Sequence, residues 1–128
     1  MKILIRCLFI LFIINMAGCD DYQIYWKDKP YEVLWIDDPN QIVLNYDIGN
    51  GGSIRRIEPK VIAIGSDSDY IVVKRKELLS KKIDYYYIVK KEDRPFTENA
   101  VYGPFNENEF LQKTSVLKLP SFSKKFDN

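Results

Sequence analysis

Histidine is absent from the 128-residue chain, and its two cysteines, Cys7 and Cys19, both lie close to the N-terminus. The first absence excludes imidazole acid–base catalysis and the Ser-His-Asp triad. The second leaves everything after Cys19 without a thiol nucleophile, and without the sulfur and nitrogen ligands that zinc and copper favour. A disulfide framework is excluded as well, so the domain has to rest on a hydrophobic core, which a chain of this length can bury. No cofactor is expected. The chemistry that survives is carboxylate pairs, serine–lysine pairs and oxygen-ligated hard cations. An excess of charge is also lacking, with 19 basic against 18 acidic residues. Nucleic acid is therefore not an expected partner, since phosphate binding needs a clustered positive field.

One long apolar run is present, at the start. Lys2 and Arg6 precede a stretch from Cys7 to Ile14, and Met16-Ala17-Gly18-Cys19 follows. Basic, apolar and small-residue segments in that order are the layout of a secretory signal. The run is shorter than the roughly 20 residues that cross a bilayer, and Asp20 and Asp21 end it. Ala17-Gly18-Cys19 resembles the lipobox read by lipoprotein signal peptidase, with Met16 standing where leucine is usual. The resemblance implies cleavage between Gly18 and Cys19, a diacylglyceryl group on the Cys19 thiol and acylation of the new amine. Two or three acyl chains hold a protein stably on a membrane where one does not. An ordinary secretory signal and an uncleaved anchor helix are the other readings of this segment. The expected division is a signal peptide (1–18), a tether (19–30) with room for a first edge strand, one globular domain (31–120) and a polar tail (121–128). Cleavage would remove Lys2 and Arg6 and no acid, turning the formal charge from +1 to slightly negative. The expected location is a bacterial cell membrane, lipid-anchored and facing the periplasm or the cell exterior.

The remainder alternates in the manner of β-strands. Tyr31 to Ile36 and Gln41 to Tyr46 flank the turn Asp37-Asp38-Pro39-Asn40 and predict a hairpin. Gly49-Asn50-Gly51-Gly52-Ser53 reads as a flexible loop; it lacks the lysine and the following helix of a phosphate-binding loop. Lys60 to Gly65 and Tyr70 to Arg75 are strands around the turn Ser66-Asp67-Ser68-Asp69, and Lys76 to Lys82 is a charged connector. Asp67 and Asp69 fall short of a calcium loop, which needs a further acid, a central glycine and a closing glutamate. Asp84 to Lys90 is a fifth strand, whose alternation sends Tyr85 and Tyr87 to one face and Tyr86 to the other. Lys91 to Asn99 is a polar loop, and Ala100 to Phe105 a sixth strand. Asn106 with Glu109 forms a capping box, and Phe105 with Phe110 a hydrophobic staple, for a helix whose stripe is Phe110, Leu111, Thr114 and Leu117. Phe122 and Phe126 could dock back from the tail. The fold class is α+β: an antiparallel meander of five to six strands with one C-terminal amphipathic helix on a face, preceded by a signal-peptide helix.

With Cys19, the strands Asp69 to Lys74 and Tyr86 to Val89, and above all Val101-Tyr102-Gly103-Pro104-Phe105 followed by Glu109-Phe110, the chain resembles a family of small bacterial lipoproteins classed as a domain of unknown function. The resemblance implies an envelope address and a single domain, and carries no activity.

Two functions of different class fit the residues. One is a non-catalytic envelope binding module, recognising its partner through aromatics expected on the surface, Trp26, Trp35 and Tyr86. That partner would be an envelope protein, or a toxin neutralised by an immunity-type lipoprotein. The other is a glycan-acting enzyme using two of Asp37, Asp38, Glu58, Asp67, Asp69 and Glu77, which requires two carboxyls about 5 to 9.5 Å apart in a cleft. Most of these acids fall at predicted turns, and the binding module is the favoured reading.

Overall fold

The computed structural model describes residues 21–97 and 99–126. Among them are nine strands and one α-helix: β1 (Tyr22–Asp28), β2 (Tyr31–Ile36), β3 (Val43–Gly49), β4 (Gly52–Ile57), β5 (Val61–Ser66), β6 (Tyr70–Lys76), β7 (Ile83–Val89), β8 (Val101–Phe105), α1 (Glu107–Leu117) and β9 (Lys124–Lys125). The strands form two antiparallel sheets, ordered β1-β2-β3-β4 and β8-β7-β6-β5-β9. The expected antiparallel β content and single C-terminal helix are present. The expected five to six strands in one meander are corrected to nine in two sheets, and the signal-peptide helix lies outside the described residues.

Three local readings account for the extra strands. The stretch from residue 19 to 30, expected as a tether with room for an edge strand, supplies β1, which pairs with β2 along its length. The glycine-rich loop is instead the tip of the β3–β4 hairpin. Gly49 pairs with Gly52, and Asn50 and Gly51 between them have φ of 54° and 78°. Positive φ at both central residues is the two-residue turn whose twist matches the strands, and Asn-Gly is its strongest sequence signal. The polar tail folds back: Lys124 and Lys125 pair with β5, and Phe126 is buried.

Alternation in the strands produces three layers. Val33 and Leu44 from the first sheet meet Ile64, Ile71, Val73 and Ile88 from the second in one core. The opposite faces of β6 and β7 send Val72, Tyr85 and Tyr87 into a second core under α1, closed by Phe110 and Leu119. The order is thus first sheet, second sheet, helix. Tyr85 and Tyr87 do lie on the helix side, and Tyr86 packs against the first core, as the two-residue period requires.

Gly65 and Gly103 mark close approaches. A Cβ on Gly65 would lie 2.0 Å from the Ser121 carbonyl oxygen, so the C-terminal segment crosses directly over β5 there. Gly103 has φ of +135°, and a Cβ would meet the Tyr85 carbonyl at 2.7 Å. The Tyr-Gly-Pro segment needs its glycine where the β7–β8 register shifts between Tyr85 and Tyr87.

Candidate functional site

Helix α1 forms as its sequence predicts. Asn106 Oδ1 accepts from the Glu109 amide at 2.9 Å, and Glu109 Oε1 accepts from the Asn106 amide at 3.2 Å. Only Phe110 of the helix is buried. Leu111, expected on the core stripe, is 57% exposed. The helix is therefore held by Phe110 near its start and by Leu117 and Leu119 at and beyond its end, and Leu111 and Thr114 between them face a groove.

That groove, of about 620 Å³, is open and lies between α1, the second sheet and the C-terminal segment at Pro120, Ser121 and Phe122. Three aromatic rings surround its apolar part. Phe110 stacks on Tyr85 with ring centroids 5.0 Å apart, and Phe122 sits 5.8 Å from Phe110 and 6.3 Å from Tyr85. Ala63 and Leu111 extend the apolar lining; Lys74, Lys125 and Glu107 supply its charges. The Lys74 ammonium lies 5.6 Å over the Tyr85 ring, a cation–π contact. An apolar pocket of a few hundred Å³ with a few polar groups at its edge is the usual form of a ligand site. A second cleft of about 480 Å³ lies between Arg55, Arg56 and Pro95–Thr97, beside a polar network described next.

The loop after β7, expected to be merely polar, carries the most deeply buried ion pair of the described residues. Asp93 and Arg56 have side chains 0% and 5% exposed, 3.0 Å apart. The Tyr31 hydroxyl donates to Asp93 Oδ2 at 2.8 Å. Arg56 also donates to the carbonyls of Arg94 and Pro95 and lies over the Tyr46 ring. Burial, and then the hydrogen bond to Asp93, push the Tyr31 hydroxyl far above its ordinary pKa. This network ties the 93–95 loop to the first sheet. No signal in the sequence distinguishes Asp93 from its charged neighbours Glu92 and Arg94. Farther along, burial works against the charge of Asp28, but hydrogen bonds from Lys90 and Ser66 and the Lys90 charge bring its pKa below the ordinary value.

The residues singled out from sequence scatter. Trp26, Trp35 and Tyr86, expected on the surface, are half-buried against the first core, and none lines the helix groove. Trp35 spends its indole N–H on the Tyr25 hydroxyl at 2.9 Å. Gly18 and Cys19 lie outside the described residues. Of the acids, Asp38 and Asp67 cap their own turns by accepting backbone amides, and Glu58 pairs with Arg55. None of the six lines the groove. Among the described residues no group of acidic side chains is placed to hold a metal ion, and no helix is long and apolar enough to cross a membrane. The sequence pattern placed Tyr85 on the helix side and Phe110 at the helix start and left the docking of Phe122 open, but gave no sign of Lys74 and Lys125, whose placement depends on how β5, β6 and β9 meet.

A family model described as "Protein of unknown function (DUF3997)" matches residues 28–124. The chain belongs to that family. No curated protein and no solved structure matches it. The DUF3997 match runs from the last residue of β1 to the first of β9, so it takes in the second core, most of the first, the Tyr-Gly-Pro segment and nearly all of the groove. The resemblance expected from Tyr102-Gly103-Pro104 and Glu109-Phe110 is thereby met at the level of a domain of unknown function.

Proposed function

We propose that the mature DUF3997 protein is a non-catalytic binding module, held on the bacterial envelope by lipid on Cys19, and that the groove between α1 and the second sheet holds its partner. The observation that carries the binding role is the groove itself. The helix, the second sheet and the C-terminal segment frame an aromatic-floored cavity open to solvent, and such concave apolar surfaces are where ligands and protein side chains gain most on burial. The address is supported by the signal layout and by Cys19 at its end.

Leu111 tests the groove without touching the fold, because it lines the cavity and is 57% exposed. Native protein and Leu111→Glu, both purified with their lipid, are compared as bait in detergent extract of the envelope. The expected outcome is a partner retained by the native protein and lost by Leu111→Glu, with the two melting together. Equal retention by both would place the binding surface elsewhere on the molecule.

A further inference from the structure

We propose that the face of the first sheet turned away from its core rests, at the β1 edge, on the lipid surface that anchors Cys19. This orientation rests on the anchor reading above and goes beyond it.

Tyr22 and Ile36 are direct partners across β1 and β2, and Ile24 opposes Leu34. Partners across antiparallel strands share a face. Trp35, between Leu34 and Ile36, packs against the first core, so the row Tyr22, Ile24 and Ile36 points away from it. These three side chains are 60%, 36% and 52% exposed. Leu34, on the same face, is buried, so the exposed apolar groups of this face are confined to that row at the β1 edge, and nothing in the core explains them.

The covalent chain supplies the occupant. Three peptide units separate Cys19 from Tyr22, and an extended chain reaches at most about 3.6 Å per residue, or roughly 11 Å. The headgroup layer of one leaflet is about 5 to 8 Å thick. A lipid on Cys19 therefore holds β1 at the headgroup layer, whereas a twelve-residue tether would have left the domain free to tumble. Tyrosine favours that depth, with its ring among the lipids and its hydroxyl in the polar layer. Asp20 and Asp21 lie between the anchor and the row, while Lys27 and Lys29 lie at the other end of β1. Lys27 pairs with Glu32. With acids and bases both present, the contact draws on apolar burial, and uncharged lipid is the right surface on which to look for it.

The mature chain would have no free thiol, since Cys7 leaves with the leader and Cys19 is acylated. One introduced cysteine is then a unique labelling site. Lipidated protein carrying a fluorophore at Ile36→Cys or at Val116→Cys is reconstituted into phosphatidylcholine vesicles brominated on their acyl chains. Val116 is 78% exposed on α1, two layers away. Bromine should quench the label at residue 36 several-fold more than that at 116, and Tyr22→Ser with Ile24→Ser should bring the two together. A label at Tyr22→Cys reports the same face from the neighbouring strand if the first position disturbs β2. Equal quenching at both faces, in protein that floats with the vesicles, overturns the orientation while leaving the anchor intact; it is also the result expected if a second copy covered the row. Protein that does not float with the vesicles overturns the anchor and the orientation together.

Discussion

At the scale of single residues, the strongest commitment of the fold is the buried Arg56–Asp93 pair with Tyr31. A buried ion pair adds little net stability, but removing one member strands the other in a medium that cannot solvate it. Arg56→Ala should therefore cost about 3–5 kcal/mol, read as a fall in the urea midpoint. An unchanged midpoint would mean that the pair does not hold the 93–95 loop to the first sheet. Burial also raises the pKa of Tyr31, Tyr86 and Tyr87. In the fold these phenols keep their protons, while in the unfolded chain they release them near about pH 10. Their contribution is thus complete below that pH and is lost progressively as pH rises from there toward the raised values they have in the fold. Stability should begin to fall near about pH 10 and keep falling as pH rises further, and Tyr31→Phe should flatten that fall. The same substitution should cost about 1.5–3 kcal/mol near neutrality, because it removes a hydrogen bond to a charged group. Urea melts at a series of pH values give both quantities.

At the scale of elements, α1 has separable supports. Asn106→Ala should lower stability by about 1 kcal/mol through loss of the cap. Phe110→Ala should cost about 3 kcal/mol or more, since Phe110 joins the helix to Tyr85 and Phe122. Denaturant melts compare the two, and a neutral Phe110→Ala would contradict the second core. The start of this helix was legible in the sequence because its signals are local: cap, box and staple fall within six residues; its buried face was not, since Leu111 of the expected stripe is exposed. The face assignment of Tyr85, Tyr86 and Tyr87 was legible for the same reason, the period of a strand being fixed by the backbone. The β3–β4 hairpin was not, although Asn50-Gly51 carried its signal. Ser53 to Ile57 includes Arg55 and Arg56, and two adjacent charges hide a strand whose one arginine is buried only because Asp93 comes to meet it. The splitting of the strands into two sheets was likewise out of reach, because it depends on which faces meet across the whole chain. The groove was half legible: its aromatic floor follows from local patterns, and its two lysines from long-range pairing.

At the scale of the molecule, the layer order separates two surfaces. The row Tyr22, Ile24 and Ile36 belongs to the first sheet, and the groove lies between the second sheet and α1. The first core stands between them. A domain held to a membrane by one surface and presenting a cavity on the far side is suited to meeting a partner in the adjoining space. That arrangement has meaning only if Cys19 is the attachment point. Mass spectrometry of the N-terminal peptide from protein purified out of its native membrane tests this most directly. We expect a chain beginning at Cys19 and carrying diacylglyceryl on sulfur, with Cys19→Ser yielding no acylated peptide. An intact precursor with an unmodified Cys19 would contradict the anchor, and with it the placement of the groove on the envelope surface.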